Sequence, residues 1–563
     1  MKNKLPELLS PAGSPEALRA AVFAGADAVY LGGTQFNARM NARNFDRPAI
    51  KDALAFCHSR GVKVYVTMNT LLCDRQMKDA LEYVAFLYEA GVDALIVADL
   101  GLACEISARF PAFPLHASTQ ASGHNAEAAR FLKGRGFCRM VCARELSKEN
   151  IASLCSQSPI EIEAFVHGAL CVSQSGQCLF SSIVGGRSGN QGACAQPCRL
   201  PYNGKYPLSL KDNCLAAHVK ELIDMGVASF KIEGRMKTPE YVFNVVSTYR
   251  RLLDEQRGAT NEEIACMARV FSRDGFTDGY FTGRVDGRMN GVRREADVKA
   301  SEKETVRIKD LCPEREQIVI DRPAVTPAPY QFKRNPPPPK RKESARFYNP
   351  ASIPEKHTLS EIYLPLDRFD GRKANGVLFP PVIPDSEREG VKKALLEAKA
   401  RGAKHALVGN IGHIELAREC DFILHGDYRL NVTNSSSAAL FYEIFEDVIL
   451  CPELILPQAR DIGGEKSFLV YGRVPLMTLE KPIGTEKLRD RKGVEFPVLS
   501  EGGRQIVFNS LPTYMGDRIK LLDDAGILNR HYLFTTEGPK ECETMMNYYK
   551  KGLPIKKEVR RIK

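Results

Sequence analysis

The chain has 563 residues, of which 44% are hydrophobic and 26% charged, and its formal net charge is +11. This length exceeds what one hydrophobic core usually supports, so we expect two or three domains. The N-terminal MKNKLPELLSPAGS holds no apolar run of signal-peptide length, and no later segment reaches the roughly 18 apolar residues that a membrane helix needs. We therefore expect a cytoplasmic protein without a membrane partner, whose positive charge suits an anionic partner such as nucleic acid.

The first half of the chain alternates short apolar runs with helical patterns, which is typical of parallel βα units. Eight such runs occur, at 7–11, 27–33, 63–69, 93–99, 113–119, 139–145, 162–168 and 229–235. Eight strands that are closed by a helix over 238–255 favour a (βα)8 TIM-like barrel over an open sheet. The active site of such a barrel lies at the carboxyl ends of its strands.

Polar residues stand at the carboxyl ends of these predicted strands. As substrate-binding residues we predict Asn37, Arg39, Arg43, Asn69, His116, Gln120 and Arg144. As catalytic residues we predict His167, Glu233 and Arg235. Lys231, Glu233 and Arg235 alternate along the eighth strand and so point the same way, which is costly in a dry core unless the charges are paired. The row is therefore either an ion-pair network or a ligand site, with Arg235 as the anion clamp.

Four of the sixteen cysteines, Cys171, Cys178, Cys194 and Cys198, follow the seventh strand in a glycine-rich stretch with the spacing C-x6-C-x15-C-x3-C. In a reducing compartment such a cluster indicates metal or redox use rather than disulfides. Structural zinc usually takes tight C-x2-C pairs, which are missing here, whereas an iron–sulfur cluster accepts irregular spacing. We predict an iron–sulfur loop after strand seven. Zinc and a metal-free loop remain alternatives, and Cys214 is an alternative to Cys198 as the fourth ligand.

The composition divides the chain into four parts. We predict a barrel with the cysteine cluster over 1–256, a small β-rich extension over 257–325, a proline-rich basic linker over 326–345 and a second domain over 346–563.

The second domain repeats patterns of the first. DFILHGDYRLNVTNSSSAALF (421–441) resembles FPLHASTQASGHNAEAARF (113–131), and FLVYGRVPLM (468–477) resembles EAFVHGALCV (163–172). The repetition predicts a degenerate, barrel-like C-terminal α/β domain, as half a barrel or a whole one. Leu476 or Met477 takes the place of Cys171, and no cysteine cluster follows, so we expect an accessory or RNA-binding domain without metal.

Several separated motifs of the first half agree, in order, with a known family. They are ELLSPAGSPEALRAAVFAGADAVYLGG (7–33), NARMNARNF (37–45), HGALCVSQSGQC (167–178), GGRSGNQGACAQPCR (185–199) and KIEGRMKTPEYV (231–242). On these motifs the chain resembles the collagenase-like peptidase family U-32. The long C-terminal region resembles the branch of this family that forms 5-hydroxycytidine in large-subunit (23S) ribosomal RNA, while tRNA uridine hydroxylases form a sister branch.

The resemblance implies an RNA-modifying hydroxylase that carries a [4Fe-4S] cluster, with the family cysteines falling on Cys171, Cys178, Cys194 and Cys198. In relatives prephenate is linked to the hydroxylation, so a small anionic metabolite is an expected partner and a possible hydroxyl donor. Arg39, Arg43, Arg144 and Arg235 are our own candidates for its cationic partners. We expect the target base to be extruded into the barrel mouth, because the ring carbons of a stacked base are inaccessible.

Three other functions compete with ribosomal RNA hydroxylation. The first is hydroxylation of tRNA uridine, as in the sister branch. The second is proteolysis with Cys171 as nucleophile and His167 as base, although the sequence holds no H-E-x-x-H helix or G-x-S-x-G elbow. The third is a non-catalytic RNA-binding or assembly role in which the cluster only holds the loop.

Overall fold

The computed structural model describes residues 5–40, 42–303, 306–331 and 341–563. Its first half contains eleven strands within these ranges: β1 (Glu7–Pro11), β2 (Ala28–Gly32), β3 (Lys63–Met68), β4 (Ala94–Val97), β5 (Leu115–Ala117), β6 (Phe137–Val141), β7 (Glu161–Ala169), β8 (Ser173–Cys178), β9 (Asp212–Cys214), β10 (Ser229–Ile232) and β11 (Phe276–Thr277). The helices of this half are α1 (Pro15–Phe23), α2 (Arg47–His58), α3 (Asp74–Glu89), α4 (Leu100–Arg109), α5 (Ala126–Lys133), α6 (Lys148–Gln157), α7 (Phe180–Gly185), α8 (Val219–Asp224), α9 (Pro239–Asp254), α10 (Asn261–Val270) and α11 (Glu295–Lys303).

Eight parallel strands, β1 to β7 and β10, form a closed barrel, because β10 pairs with both β1 and β7. Each of the eight predicted runs overlaps one of these strands, so the predicted barrel is confirmed. Local chemistry starts the helices on its outside: the Ser14 side chain accepts from the backbone N–H of Ala17 and caps α1, and Asp99 caps α4 in the same way. The helices bury one apolar face against the strands, which are buried on both sides.

The second half contains twelve strands within the described residues: β12 (Glu343–Phe347), β13 (Glu361–Pro365), β14 (Gly376–Leu378), β15 (His405–Val408), β16 (Ile423–Gly426), β17 (Val448–Ile449), β18 (Lys466–Gly472), β19 (Pro475–Leu479), β20 (Lys487–Arg489), β21 (Glu495–Glu501), β22 (Arg504–Phe508) and β23 (Asn529–Phe534). Its helices are α12 (Arg388–Ala400), α13 (Ile414–Glu419), α14 (Ser435–Tyr442), α15 (Leu456–Asp461), α16 (Ile519–Asp524) and α17 (Pro539–Lys551).

Strands β12 to β18 and β23 close a second parallel barrel. The predicted barrel-like second domain is therefore confirmed, and of the two versions left open the structure has the whole barrel. It is degenerate in that β17 has two residues and α13, α15 and α16 have six residues each.

The two barrels share a distortion at the same place. The register between β7 and β10 shifts after Lys231, and the register between β18 and β23 shifts after Leu469. Gly168 and Gly472 follow these bulges with φ of +104° and +115°, and a Cβ on either would lie within 2.5 Å of a neighbouring carbonyl oxygen. With these glycines aligned, Pro475 stands where the first copy has Cys171, rather than the predicted Leu476 or Met477.

The barrels face each other with the carboxyl ends of their strands. Asn125, the cap of α5, donates to the carbonyl of Gly412 over 2.9 Å, and Asn434, the cap of α14, donates to Asp99 Oδ2 over 2.8 Å. Asn410, just beyond β15, donates to the Ser122 carbonyl over 3.0 Å. Helix-capping asparagines of each barrel therefore donate hydrogen bonds to the other barrel and stabilise the interface.

A mixed sheet joins the barrels beside this interface. Strand β8, which follows β7 of the first barrel, pairs antiparallel with β19 of the second, so that Cys178 lies opposite Met477 and Ser173 opposite Leu479. Strands β20, β21 and β22 extend the same sheet. The segment that carries the first two clustered cysteines is thus built partly on the second domain.

The region 257–325 differs from the predicted β-rich extension. Where the structure describes it, it contains α10, α11 and the two-residue strand β11. In the segment FSRDGFTDGYFTG (271–283), aromatic residues pack inward from turns: Tyr280 and Phe281 are 4% and 3% exposed.

Residues 306–331 run as an irregular strap along the loops that precede β2, β3 and β4. Leu311 N–H donates to the carbonyl of Phe23 over 2.7 Å, and Ile318 N–H donates to that of His58 over 3.0 Å. Residues 332–340 of the predicted basic linker lie outside the described residues. The second barrel begins at Glu343, three residues before the predicted boundary at 346. No helix in the described parts of the chain is long and apolar enough to cross a membrane.

Candidate functional site

A cavity of about 200 Å³ lies at the carboxyl end of the first barrel. Its walls come from the strand exits, from the cysteine loop and from Met477 of the second domain. The predicted site residues that line it are Arg39, Asn69, Gln120, Arg144, Cys171, Cys178, Cys194, Cys198, Glu233 and Arg235. The carboxyl end of a barrel is where enzymes of this fold place their active sites, so this cavity is the candidate active site.

Lys231, Glu233 and Arg235, the alternating row at β10, do not share one role: one end belongs to an ion-pair network and the other to the ligand site. Lys231 is 2.7 Å from Glu163, which also pairs with Arg139, so this end of the row belongs to a buried ion-pair network. Glu233 accepts from Arg39 over 3.0 Å and from the Tyr30 hydroxyl over 3.3 Å.

Burial alone would raise the pKa of Glu233, but Arg39, Arg144 and Arg235 lower it to about 2. Glu233 is therefore a carboxylate in the cavity, and it can accept a hydrogen bond rather than donate one.

Arg235 and Arg144 have no carboxylate within 4.0 Å among the described residues. Arg235 is 4% exposed and donates to the Thr67 hydroxyl over 2.9 Å. Burial, helped by the nearby Arg39, lowers the pKa of Arg235 to about 10. The Arg144 guanidinium lies 4.6 Å from the centre of the Phe165 ring, and its buried Nε has no hydrogen-bond partner in the described structure. Two guanidiniums share the single carboxylate of Glu233 at longer range and have no carboxylate in direct contact, which makes this cavity a candidate site for an anion.

Asn69 and Gln120 place polar side-chain atoms on the cavity wall. Asn69 Oδ1 accepts from the Ala38 N–H over 3.0 Å and fixes the loop that carries Arg39. Gln120 Oε1 is buried without a hydrogen-bond partner within the described ranges, so it is open to a donor on a ligand.

Three predicted substrate-binding residues lie away from the cavity. Asn37 is fully buried and bonds to the Gly33 carbonyl and the Arg39 N–H, so it shapes the loop. Arg43 forms an exposed pair with Glu16 over 3.0 Å. His116 packs edge-on against Tyr65 within the barrel core, with ring centres 4.7 Å apart. Loop turns and strand alternation send these side chains elsewhere, so the structure does not bring them to this cavity.

His167 is also absent from the cavity wall. Its ring packs against Tyr249 and Phe276, with centres 5.7 and 5.0 Å away, and neither ring nitrogen has a hydrogen-bond partner in the described part of the chain. Burial, helped by Lys237, lowers the pKa of His167 to about 3. The bulge in β7 turns this ring out of the barrel, so the structure does not bring it to Cys171 as a base.

The four clustered cysteines converge on the cavity, although 27 positions separate the first from the last along the chain. No three of their sulfur atoms lie within 4.8 Å of one another in the described residues. Four thiolates on a single zinc ion at about 2.3 Å would have to be closer, at roughly 3.8 Å. Sulfurs that are spread around a cavity suit a multi-iron cluster, where each binds a different iron.

Donors and cations that an anionic iron–sulfur cluster needs are present. The Gln196 N–H points at Cys194 Sγ over 3.3 Å, and the Ser181 hydroxyl lies 3.9 Å from the same sulfur. Burial raises the pKa of Cys171, where Arg144 opposes the shift, and raises the pKa of Cys198 to about 12. Thiols of this kind ionise readily only when a cationic centre binds them, so the donor set fits a cluster.

Cys214 stands apart from this group. It lies on β9, paired with His167, and it is not on the cavity wall. The geometry therefore favours Cys198 over Cys214 as the fourth sulfur.

Among the described residues, buried ion pairs occupy the centre of the second barrel's mouth. Arg429 pairs with Asp427 over 3.2 Å and with Glu501 over 2.8 Å, and Arg346 pairs with Asp427, all almost fully buried. Leu179 of the cysteine loop packs there with Phe508 and Tyr348. Neutralised charges and apolar side chains fill this part of the mouth, and a separate cavity of about 1020 Å³ lies beside it, lined by Arg368, Arg473 and Thr536 and by residues of β20, β21 and β22.

Thr67 and Met477 are among the cavity residues that sequence reasoning missed. Thr67 points inward from β3 and binds Arg235, which the alternation of that strand could have indicated. Met477 comes from the other domain, and only the facing of the two barrels puts it on the wall.

The fold and site together define a TIM-barrel protein whose carboxyl-end cavity combines thiols with unpaired arginines. Residues 13–291 match the profile of Peptidase family U32. The chain is 44% identical over 286 residues to the 23S rRNA 5-hydroxycytidine C2501 synthase of Escherichia coli (strain K12), covering 49% of this chain and 42% of that protein. It is 39% identical over 270 residues to tRNA hydroxylation protein P1 of Bacillus subtilis (strain 168), covering 45% and 64%.

A third relative is the Collagenase of Porphyromonas gingivalis (strain ATCC BAA-308 / W83), which is 35% identical over 309 residues, covering 49% of this chain and 74% of that protein. The chain belongs to Peptidase family U32, as its motifs predict. The matches to the two RNA-modification proteins span less than two thirds of their lengths, at 42% and 64%.

Proposed function

We propose that this protein is an RNA base hydroxylase that forms 5-hydroxycytidine in large-subunit ribosomal RNA, in the cytoplasm. The observation that carries the proposal is the cavity in which four cysteines meet two unpaired arginines at the barrel mouth. The relative named as a 23S rRNA 5-hydroxycytidine synthase supports the choice of substrate.

Cys171, Cys178, Cys194 and Cys198 would hold a [4Fe-4S] cluster, as argued from their donor set. When bound, such a cluster supplies electron transfer or activation of an oxygen donor. Arg144 and Arg235 would bind a small anionic metabolite, with prephenate as a candidate hydroxyl donor. Glu233, held ionised by three arginines, is positioned to accept a hydrogen bond from the base or the donor.

Hydroxylation of tRNA uridine is the second candidate, because the tRNA hydroxylation protein P1 is 39% identical to the first half. Proteolysis is less well supported than either. A relative bears the name Collagenase, but His167 is turned away from Cys171, and a cysteine that binds a cluster cannot attack a peptide.

The test compares the wild type with the Cys171, Cys178, Cys194 and Cys198 quadruple serine variant after anaerobic purification. We expect about four irons and four sulfides per wild-type chain and none in the variant. A Cys266→Ser variant, which removes an exposed cysteine elsewhere, is the matched control and should keep its iron.

The same three proteins are then expressed in a deletion strain, and nucleosides of its ribosomal RNA and tRNA are analysed separately by mass spectrometry. Hydroxycytidine in ribosomal RNA that returns with wild type and Cys266→Ser alone supports the proposal. Hydroxyuridine in tRNA instead would select the second candidate. An iron-free wild type, or unchanged nucleosides, would reject hydroxylation by this site.

A further inference from the structure

A group of three cations lies outside the barrel, between the exit of β10 and the extension that follows α9. Lys237, Arg273 and Arg293 surround the Phe271 ring, and we call them the cation cluster. The Lys237 ammonium lies 2.7 Å from the ring centre, and the Arg293 and Arg273 guanidiniums lie 4.2 and 5.5 Å from it.

The negative charge next to the cation cluster does not balance its three positive charges. Asp212 pairs with Arg273, and it is the only carboxylate within 4.0 Å of any of the three in the parts of the chain that the structure describes. Arg293 donates to the Ser301 hydroxyl over 2.8 Å, and its buried Nε has no partner within these parts. A cation–π contact stabilises one cation against the Phe271 ring, but it does not offset the electrostatic repulsion among three cations.

Burial and the neighbouring cations both disfavour the charged form of the lysine. Burial lowers the pKa of Lys237 to about 7, against the opposing pull of Asp212, and Arg273 and Arg293 lower it further. An anion at this point would relieve the strain by restoring the balance of charge.

The cation cluster adjoins the candidate active site. Lys237 is two residues beyond Arg235, which lines the cavity, and it precedes the N-terminus of the 16-residue helix α9. Arg199, next to Cys198, donates to the Ser209 hydroxyl and to the Leu210 and Leu170 carbonyls, and it has no carboxylate within 4.0 Å in the described structure. A nucleotide whose base enters the cavity would have its backbone phosphates within reach of this surface.

We propose that Lys237, Arg273 and Arg293 form a phosphate-binding site for the backbone of single-stranded RNA beside the cavity. The inference rests on the proposed function for the identity of the polymer. Arginine forks and a lysine bind phosphodiester oxygens without reading the base, so the site anchors the strand while the cavity selects the nucleotide.

The test is fluorescence anisotropy with a labelled 12-nucleotide single-stranded RNA, at several salt concentrations, on full-length protein. The Lys237→Gln, Arg273→Gln, Arg293→Gln triple variant should bind about 10- to 100-fold more weakly at low salt. Its slope of log affinity against log salt should be smaller by about 2, since each lost phosphate contact on a single strand is worth about 0.7.

The matched control is the Arg284→Gln, Arg288→Gln, Lys299→Gln triple variant. It removes the same charge from the same extension, but each of its cations is paired with its own carboxylate, namely Asp278, Asp286 and Glu295. Equal losses in the two triple variants, or an unchanged salt slope, would overturn the inference, as would a wild type that does not bind the RNA. If the first triple variant does not fold, as judged by circular dichroism, Lys237→Gln alone should still lower the slope by about 0.7.

The two proposals fail separately. RNA binding that depends on the cation cluster, without any hydroxylated nucleoside, would keep this inference and reject the proposed function. Hydroxylated RNA combined with undiminished binding by the triple variant would do the reverse.

Discussion

Neighbouring charges decide which polar residues of the barrel mouth are available for chemistry. Lys231 and Arg235 belong to one alternating row, yet Lys231 is paired with Glu163 while Arg235 has no carboxylate within 4.0 Å in the described residues and donates to the Thr67 hydroxyl. The same contrast separates Arg39, which pairs with Glu233, from Arg144, which has no carboxylate partner in the described chain. The unpaired members are the ones that a ligand can bind at a gain.

His167 should make the protein sensitive to acid. Its folded pKa of about 3 lies below the ordinary value of 6.5, so its neutral form is favoured in the fold. Stability is then unaffected above the unfolded pKa and is lost as pH falls from about 6.5 towards 3, at up to about 1.4 kcal/mol per pH unit. Between pH 7 and 5.5, His167→Phe should lose stability to urea less steeply than wild type.

His357→Phe is the control for this comparison, because His357 is exposed. It should follow the wild-type pH profile. If His167→Phe followed that profile too, the imidazole would not be held neutral by burial.

At the scale of elements, a buried carboxylate binds strand β8 of the cysteine loop. Glu145 accepts from the Ser175 N–H over 2.9 Å and from its hydroxyl over 3.0 Å, and it bonds to His124 over 2.7 Å. Ser175 lies in β8, between Cys171 and Cys178. Glu145 therefore positions the segment that carries two of the proposed cluster ligands.

Replacing Glu145 by Gln puts an amide group against donors and should loosen β8. We expect iron to be lost to a chelator roughly fivefold faster or more, given a cost of about 1 kcal/mol or above for the broken contacts. Glu149→Gln, at an exposed position in α6, should release iron at the wild-type rate. If both variants lost iron to the chelator at the same rate, Glu145 would not position β8.

At the scale of the whole molecule, the two barrels cooperate through their facing mouths. The first mouth keeps an open cavity, and the second is filled by its own ion pairs and by Leu179 from the first domain. In the other direction, Met477 of the second domain lines the cavity of the first barrel. The second barrel is thus part of the wall of the candidate site as well as a scaffold.

Asn434 tests how strongly this interface stabilises the fold. Asn434→Ala removes hydrogen bonds to the Leu72 carbonyl and to Asp99, leaving buried acceptors without a donor. We expect a loss of about 1–3 kcal/mol in the free energy of unfolding, measured by urea denaturation. Asn547→Ala, on the exposed face of α17, should change it by less than about 0.5 kcal/mol. A loss no larger than that of this control would mean that the caps do not hold the barrels together.

The sequence by itself determined the first barrel, the repeat and the cysteine group, because strand alternation, helix caps and residue spacing are local features of the chain. It did not determine where His167, His116 and Arg43 point, since a bulge, a core packing contact and a surface ion pair decide that. It also did not show that the second barrel closes completely, or that Met477 reaches the cavity of the first. Those features arise from contacts between residues hundreds of positions apart, and only the tertiary structure brings them together.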